Sequence, residues 1–210
     1  MGAREVHDRD QPCRCGDRFN HITFDIGERF AELLPPPHQA AWTRGLPLAG
    51  VMVGEADALA RDELMEPRGA YVMGRNMFGP IRGAWDEDWR GWWGSEPPYH
   101  APVFVLTHYP HDPIEMEGGT TFHFVTEGFE AAFDRAKAAA RDGDVDIAGG
   151  ASTVRQAFAA GVIDELMLDV IPVLLGSGER LFDGVQDPGL ELVEVIDSPH
   201  ATHIRYRIGR

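Results

Sequence analysis

Cysteine is scarce in this chain: Cys13 and Cys15 are the only two. With one residue between them they make a poor structural disulfide, which sets aside a disulfide-stapled scaffold and leads us to expect a cytoplasmic protein. Positive charge is also short. Lys and Arg number 19 against 34 Asp and Glu, for a formal net charge of −15. That balance opposes binding to a nucleic-acid backbone, although one local basic pocket for a phosphate remains compatible with it. No apolar run approaches the roughly 20 residues that span a bilayer, so no membrane partner is expected. The N-terminus has no signal-peptide core. Nor is there a metal signature: His7, Cys13, Cys15 and His21 lack the second well-spaced pair that a zinc site needs, so no metal is expected. The G-x-G-x-x-G dinucleotide fingerprint is missing as well.

What is present suits one α/β domain. The chain has 210 residues, 43% hydrophobic and 25% charged, enough for a full core. Its organising stretch runs from Asp144 to Gly178. A short apolar strand, Val145 to Ala148, leads into Gly149 and Gly150. A helix follows with Val154, Ala157 and Phe158 on one face, and Gly161 stops it. The next strand, Leu166 to Leu174, is apolar enough to be buried on both faces. Paired glycines let a ligand approach backbone N–H groups. A helix start carrying Ser152 and Thr153 behind them suits a phosphate or pyrophosphate. The same Gly-Gly would also serve a plain tight turn.

Two more strand ends carry polar groups. Gly69 to Met73 reads as a buried strand running into Gly74-Arg75-Asn76, with a cation at the tip. Pro102 to Thr107 ends on Thr107 and His108, and ligands of open α/β sheets bind at such ends. Thr121 to Val125 is a further strand, after which Thr126 can cap a helix striped by Phe129, Ala132, Phe133 and Ala136. Leu190 to Val195 and Thr202 to Tyr206 read as a closing antiparallel pair. Residues 52–66 look helical. Between Ala84 and His100, Trp85, Trp89, Trp92 and Trp93 sit among Gly, Pro and acidic residues. This long loop could be an aromatic lid, a dimer contact, or a loop pinned by its own rings. The sheet is expected to be mostly parallel, with an antiparallel C-terminal end.

Segments 71–80, 97–108, 121–137 and 146–184 together resemble the dihydrofolate-reductase-like reductases, and among them the C-terminal reductase domain of the bifunctional riboflavin-biosynthesis deaminase–reductase. The resemblance implies a three-layer α/β/α fold binding NADPH at the strand C-termini. Gly74, Arg75 and Asn76 match the turn near the adenosine phosphates, and Thr107 and His108 the strand end near the 2′-phosphate. Gly149, Gly150, Ala151, Ser152 and Thr153 match the pyrophosphate and nicotinamide-ribose loop. It further implies hydride transfer to a small pyrimidine-type or other heterocyclic substrate, as in 5-amino-6-(5-phosphoribosylamino)uracil reductases, with a homodimer as one assembly open to the chain. Such chemistry needs a proton donor, for which Asp25, Glu165 and Asp169 are the candidates.

One departure stands against this pattern. Residues 1–50 hold no apolar first strand leading to a Ser-Leu-Asp-Gly-type turn; His21 to Ile26 is the nearest echo. We therefore expect a divergent arm over 1–50, a reductase-like domain over 51–210, and no rebuilt pocket strand. The alternative to an enzyme is a non-catalytic NADPH-binding or interaction protein with an incomplete pocket.

Overall fold

The structure is a computed structural model, and it describes residues 20–22, 66–80, 83–85, 89–170, 178–198 and 201–209. Nine strands are described: β1 (Asn20–Ile22), β2 (Ala70–Gly74), β3 (Pro102–Leu106), β4 (Ile114–Glu115), β5 (Thr121–Val125), β6 (Val145–Gly149), β7 (Glu165–Val170), β8 (Leu190–Asp197) and β9 (Thr202–Ile208). The helices are α1 (Arg75–Phe78), a single turn, α2 (Phe129–Ala140) and α3 (Ala151–Ala159).

Six strands form one sheet in the order β1-β6-β2-β3-β5-β4, parallel except for β4 at its edge. The other three form an antiparallel sheet in the order β7-β9-β8. β1 also lies alongside β7, so it sits where the two sheets adjoin. This corrects the expectation that residues 1–50 leave the strand unbuilt. Asn20–Ile22 pairs in parallel with Val145–Ile147, and the strand starts one residue before the His21 to Ile26 echo. The suggested helix over 52–66 lies almost wholly outside the described residues.

Two apolar clusters sandwich the parallel sheet. On one face Ala70, Val72, Phe104, Val145 and Ile147 pack against Phe129, Ala132, Phe133 and Ala136 of α2 and Val154 and Ala157 of α3. These are the positions that recur at helical spacing in the sequence, and their burial is the main stabilising term. On the other face Tyr71, Met73, Val103, Val105, Phe122 and Ala148 meet Phe78 of α1 and the tryptophan loop.

That loop is pinned by its own rings. Trp93 stacks on Phe122 at 5.8 Å, Trp85 meets Phe78 and Phe124 edge-on, and the Trp89 indole N–H donates to the Phe78 carbonyl at 3.1 Å. Each ring contact adds about 0.5–1.5 kcal/mol beyond area burial.

Helix ends follow local chemistry with one correction. α3 closes as expected at Gly161, whose φ of 64° completes a Schellman arrangement. The Gly161 N–H donates to the Phe158 carbonyl and the Val162 N–H to the Ala157 carbonyl. At the start of α2, however, Gly128 rather than Thr126 holds the cap position. The Thr126 hydroxyl donates instead to Glu127.

The described part of β7 is less buried than expected. It runs from Glu165 to Val170, with Leu166 fully buried but Val170 about half exposed. Residues 171–177 lie outside the described residues. One face of β7 is apolar against α3, while the other presents Glu165, Met167 and Asp169, so it cannot be buried in hydrocarbon on both sides.

Candidate functional site

Parallel register brings three sequence-predicted segments to one edge. Gly74 pairs with Leu106, which places Arg75 beside Thr107. Met73 pairs with Gly149, which places Gly74 beside the Gly149–Gly150 turn. Strand order β6-β2-β3 makes the C-terminal ends of these three strands immediate neighbours. Sequence spacing holds no record of that order.

Gly74 and Thr153 lock the first junction. A Cβ on Gly74 would lie 2.7 Å from the Thr153 hydroxyl, which is itself buried. Only a residue without a side chain lets β2 approach the start of α3 so closely. The Gly149–Gly150 peptide is cis, and Gly149 has φ 101°. By contrast, a Cβ on Gly150 would meet nothing within 4 Å, so that backbone faces open space. α3 starts directly after it, at Ala151. Thr153 and Val154 N–H both donate to the Gly150 carbonyl, while the Ala151 and Ser152 amides occupy the first turn, where no earlier helical carbonyl serves them. Ser152 is exposed. A nine-residue helix with this opening turns its positive end toward the glycine turn.

Arg75 begins α1, with Asn76 exposed next to it. Its guanidinium carbon lies 3.8 Å from the Trp85 ring centroid and 5.0 Å from that of Tyr109. Trp85 in turn donates from its indole nitrogen to the Tyr109 carbonyl at 2.8 Å. The two rings bracket the guanidinium, an arrangement worth about 0.5–2 kcal/mol that fixes a long side chain in one place. Sequence reading missed this contact. Trp85 stands ten residues from Arg75 in a stretch without periodicity, and only its aromatic crowding gave a hint.

Thr107 and His108 divide their work. The Thr107 hydroxyl is buried and spent on its own turn, donating to the Tyr109 carbonyl at 3.3 Å and accepting from the Tyr109 N–H at 3.1 Å. His108 is exposed at the tip of that turn.

The proton-donor candidates separate clearly. Glu165 sits at the start of β7, at the opposite edge of the sheet, buried and 3.3 Å from Arg207. It cannot serve chemistry at the glycine turn. Asp169 lies near the other end of β7, with Oδ1 2.7 Å from His203 Nδ1. Asp25 lies outside the described residues, as do the side chains of His7, Cys13, Cys15 and His21. No cluster of metal-ligating side chains occurs among the described residues. Nor is any described helix long and apolar enough to cross a membrane.

Residues 41–204 match the RibD C-terminal domain family model. No curated protein matched significantly. Among solved structures, RibD from Acinetobacter baumannii superposes with a TM-score of 0.53 at 15% identity, over 92% of this chain and 59% of that one. A dihydrofolate reductase from Enterococcus faecalis, complexed with NADP(H) and RAB-propyl, gives 0.52 at 16% identity, over 92% and 97%. A Shewanella sp. PV-4 protein ascribed to riboflavin biosynthesis gives 0.51 at 23%, over 91% and 100%. At such identities the likeness to solved structures is one of fold, a mostly parallel sheet with helices and an antiparallel C-terminal part. The family match spans well over half of the sequence, and this chain belongs to the RibD C-terminal domain family.

Proposed function

We propose that this protein is an NADPH-dependent reductase acting on a small heterocyclic, pyrimidine-type substrate. The observation that carries the reading is the convergence of Gly74-Arg75, Thr107-His108 and Gly149-Gly150 at three adjacent parallel strand ends. An open glycine backbone in front of a helix start fits a pyrophosphate, and a ring-bracketed arginine one strand away fits a further phosphate. Gly149, Gly150, Ala151, Ser152 and Thr153 would hold the pyrophosphate side, and Arg75, Asn76 and His108 the adenosine side. Thr107 would fix the turn that carries His108. A nicotinamide bound there supplies hydride. The protein's part is to orient the two reactants and keep water out. The pairing of β1 at the junction of the sheets supports a built rather than a missing pocket wall, and so favours the enzyme over a non-catalytic binder.

The test is calorimetric titration of NADPH and NADH into wild type and Arg75→Ala, followed by NADPH oxidation with a panel of aminopyrimidines and pterins. A charge-assisted hydrogen bond is worth about 1.5–3 kcal/mol, so the variant should bind NADPH about ten-fold or more weakly. NADH should be affected much less. Equal losses for both cofactors would remove the 2′-phosphate role of Arg75. Absence of NADPH binding by the wild type would overturn the reductase reading.

A further inference from the structure

The described residues hold a second polar centre at the same sheet edge, away from the glycine turn. β6, α3 and β7 form a strand–helix–strand unit, so β7 runs toward the edge where β6 ends. Asp169 is the fifth of the six described residues of β7. On β9, which runs the other way, the residue opposite is His203. The pair therefore lies toward the edge at which β6 ends. β1 pairs with β6 and lies alongside β7, so the β7 strand stands about two strand spacings, roughly 10 Å, from β6. Asp169 points to the face opposite α3, the face that also carries Ala148 and Met73.

The two partners differ in exposure. The His203 side chain is 4% exposed, that of Asp169 30%. The imidazole is thus the buried support and the carboxylate the presented group. Nδ1 of His203 donates to Oδ1 at 2.7 Å, which fixes the carboxylate plane. An ionised carboxylate offers about four acceptor positions, and this bond uses one. A buried histidine holding a partly exposed acid is an expensive way to fill space. An apolar pair of similar volume would be at least as stable.

We infer that Asp169, oriented by His203, is the substrate-recognition carboxylate of this protein, and that it accepts paired N–H donors from an amino-substituted pyrimidine-type heterocycle. This rests on the reductase reading for the neighbouring cofactor place, but its test does not. Asp169 is the specificity residue and His203 the positioning residue. The carboxylate takes an exocyclic amino group together with the adjacent ring N–H, which sets the heterocycle's edge toward β7 and its face toward the glycine turn. A carbonyl-only ring offers no such donors and would leave the acid unpaired.

The experiment is calorimetric titration of 5,6-diaminouracil into the full chain, with and without NADPH, for wild type, Asp169→Asn, His203→Asn and His203→Leu. Asp169→Asn should bind the probe at least ten-fold more weakly, with its NADPH affinity and melting temperature unchanged. His203→Asn, whose side-chain amide can take the place of the Nδ1 donor, should stay within a few-fold of wild type. His203→Leu should lose binding as Asp169→Asn does. Wild-type affinity in Asp169→Asn overturns the inference, as does a wild type that does not bind the probe. A chain that binds 5,6-diaminouracil through Asp169 but does not bind NADPH would keep this inference and sink the reductase reading.

Discussion

Asp146 gives a sharp stability test of the sheet. It lies in β6, 3% exposed, across from Tyr71 of β2, and its Oδ1 has no hydrogen-bond partner. Burial pushes its carboxyl up from 3.8 to about 7, the nearby Arg68 charge resists that, and Asp144 adds to it. Between these two values the unfolded chain releases the proton while the folded chain keeps it. The contribution of Asp146 to stability is therefore full below about pH 4 and is lost as the pH rises toward 7. At about 1.36 kcal/mol per pH unit, the span from pH 5 to 7 removes roughly 3 kcal/mol. Asp146→Asn keeps the shape and cannot ionise. Urea unfolding of both proteins at intervals from pH 5 to 8 isolates the effect, because every other titrating group is common to the pair. The wild type should lose about 3 kcal/mol relative to the variant across that range. Parallel stability curves would refute the reasoning and place an ionised Asp146 in the fold.

Two further substitutions probe the face under the tryptophan loop. Phe78→Ala empties the centre of a ring cluster formed with Phe122, Phe124 and Trp85, and should cost about 3–5 kcal/mol in denaturant unfolding. Gly79→Ala places a Cβ 2.1 Å from Trp89 Nε1; the ring must leave the Phe78 carbonyl, at about 1–3 kcal/mol, with a red-shifted tryptophan emission as the direct sign. An unshifted spectrum would show that Trp89 is not seated there.

The elements were legible where side-chain period and length agree. The apolar run from Ala70 to Met73, the stripe of Phe129, Ala132, Phe133 and Ala136, and the Gly-Gly before Ala151 each mark their structure locally. β4 was not legible, because Ile114 and Glu115 are too few to show a period. β1 was legible only in part: His21 to Ile26 could be read as one strand, but Asn-His-Ile is not an apolar run, and its place is set by pairing with β6. The candidate site was legible as three separate strand ends, but their adjacency depends on strand order, a tertiary property. The His203–Asp169 pair was invisible for the same reason, since its two halves meet only through the β7–β9 register.

The position of β1 also bears on how the chain reaches this fold. Asn20 pairs with Val145, so the contact closes a loop of well over half the chain. Such a contact is entropically late: its cost is met before its own few hydrogen bonds return anything. During synthesis the first strand leaves the ribosome long before its partner exists, and β2, β3 and β5 can pair without it. Joining of the parallel sheet to the C-terminal antiparallel sheet then becomes a closing event that needs both ends of the chain, and β6 with its glycine turn and β7 with Asp169 come to either side of β1 in that same step.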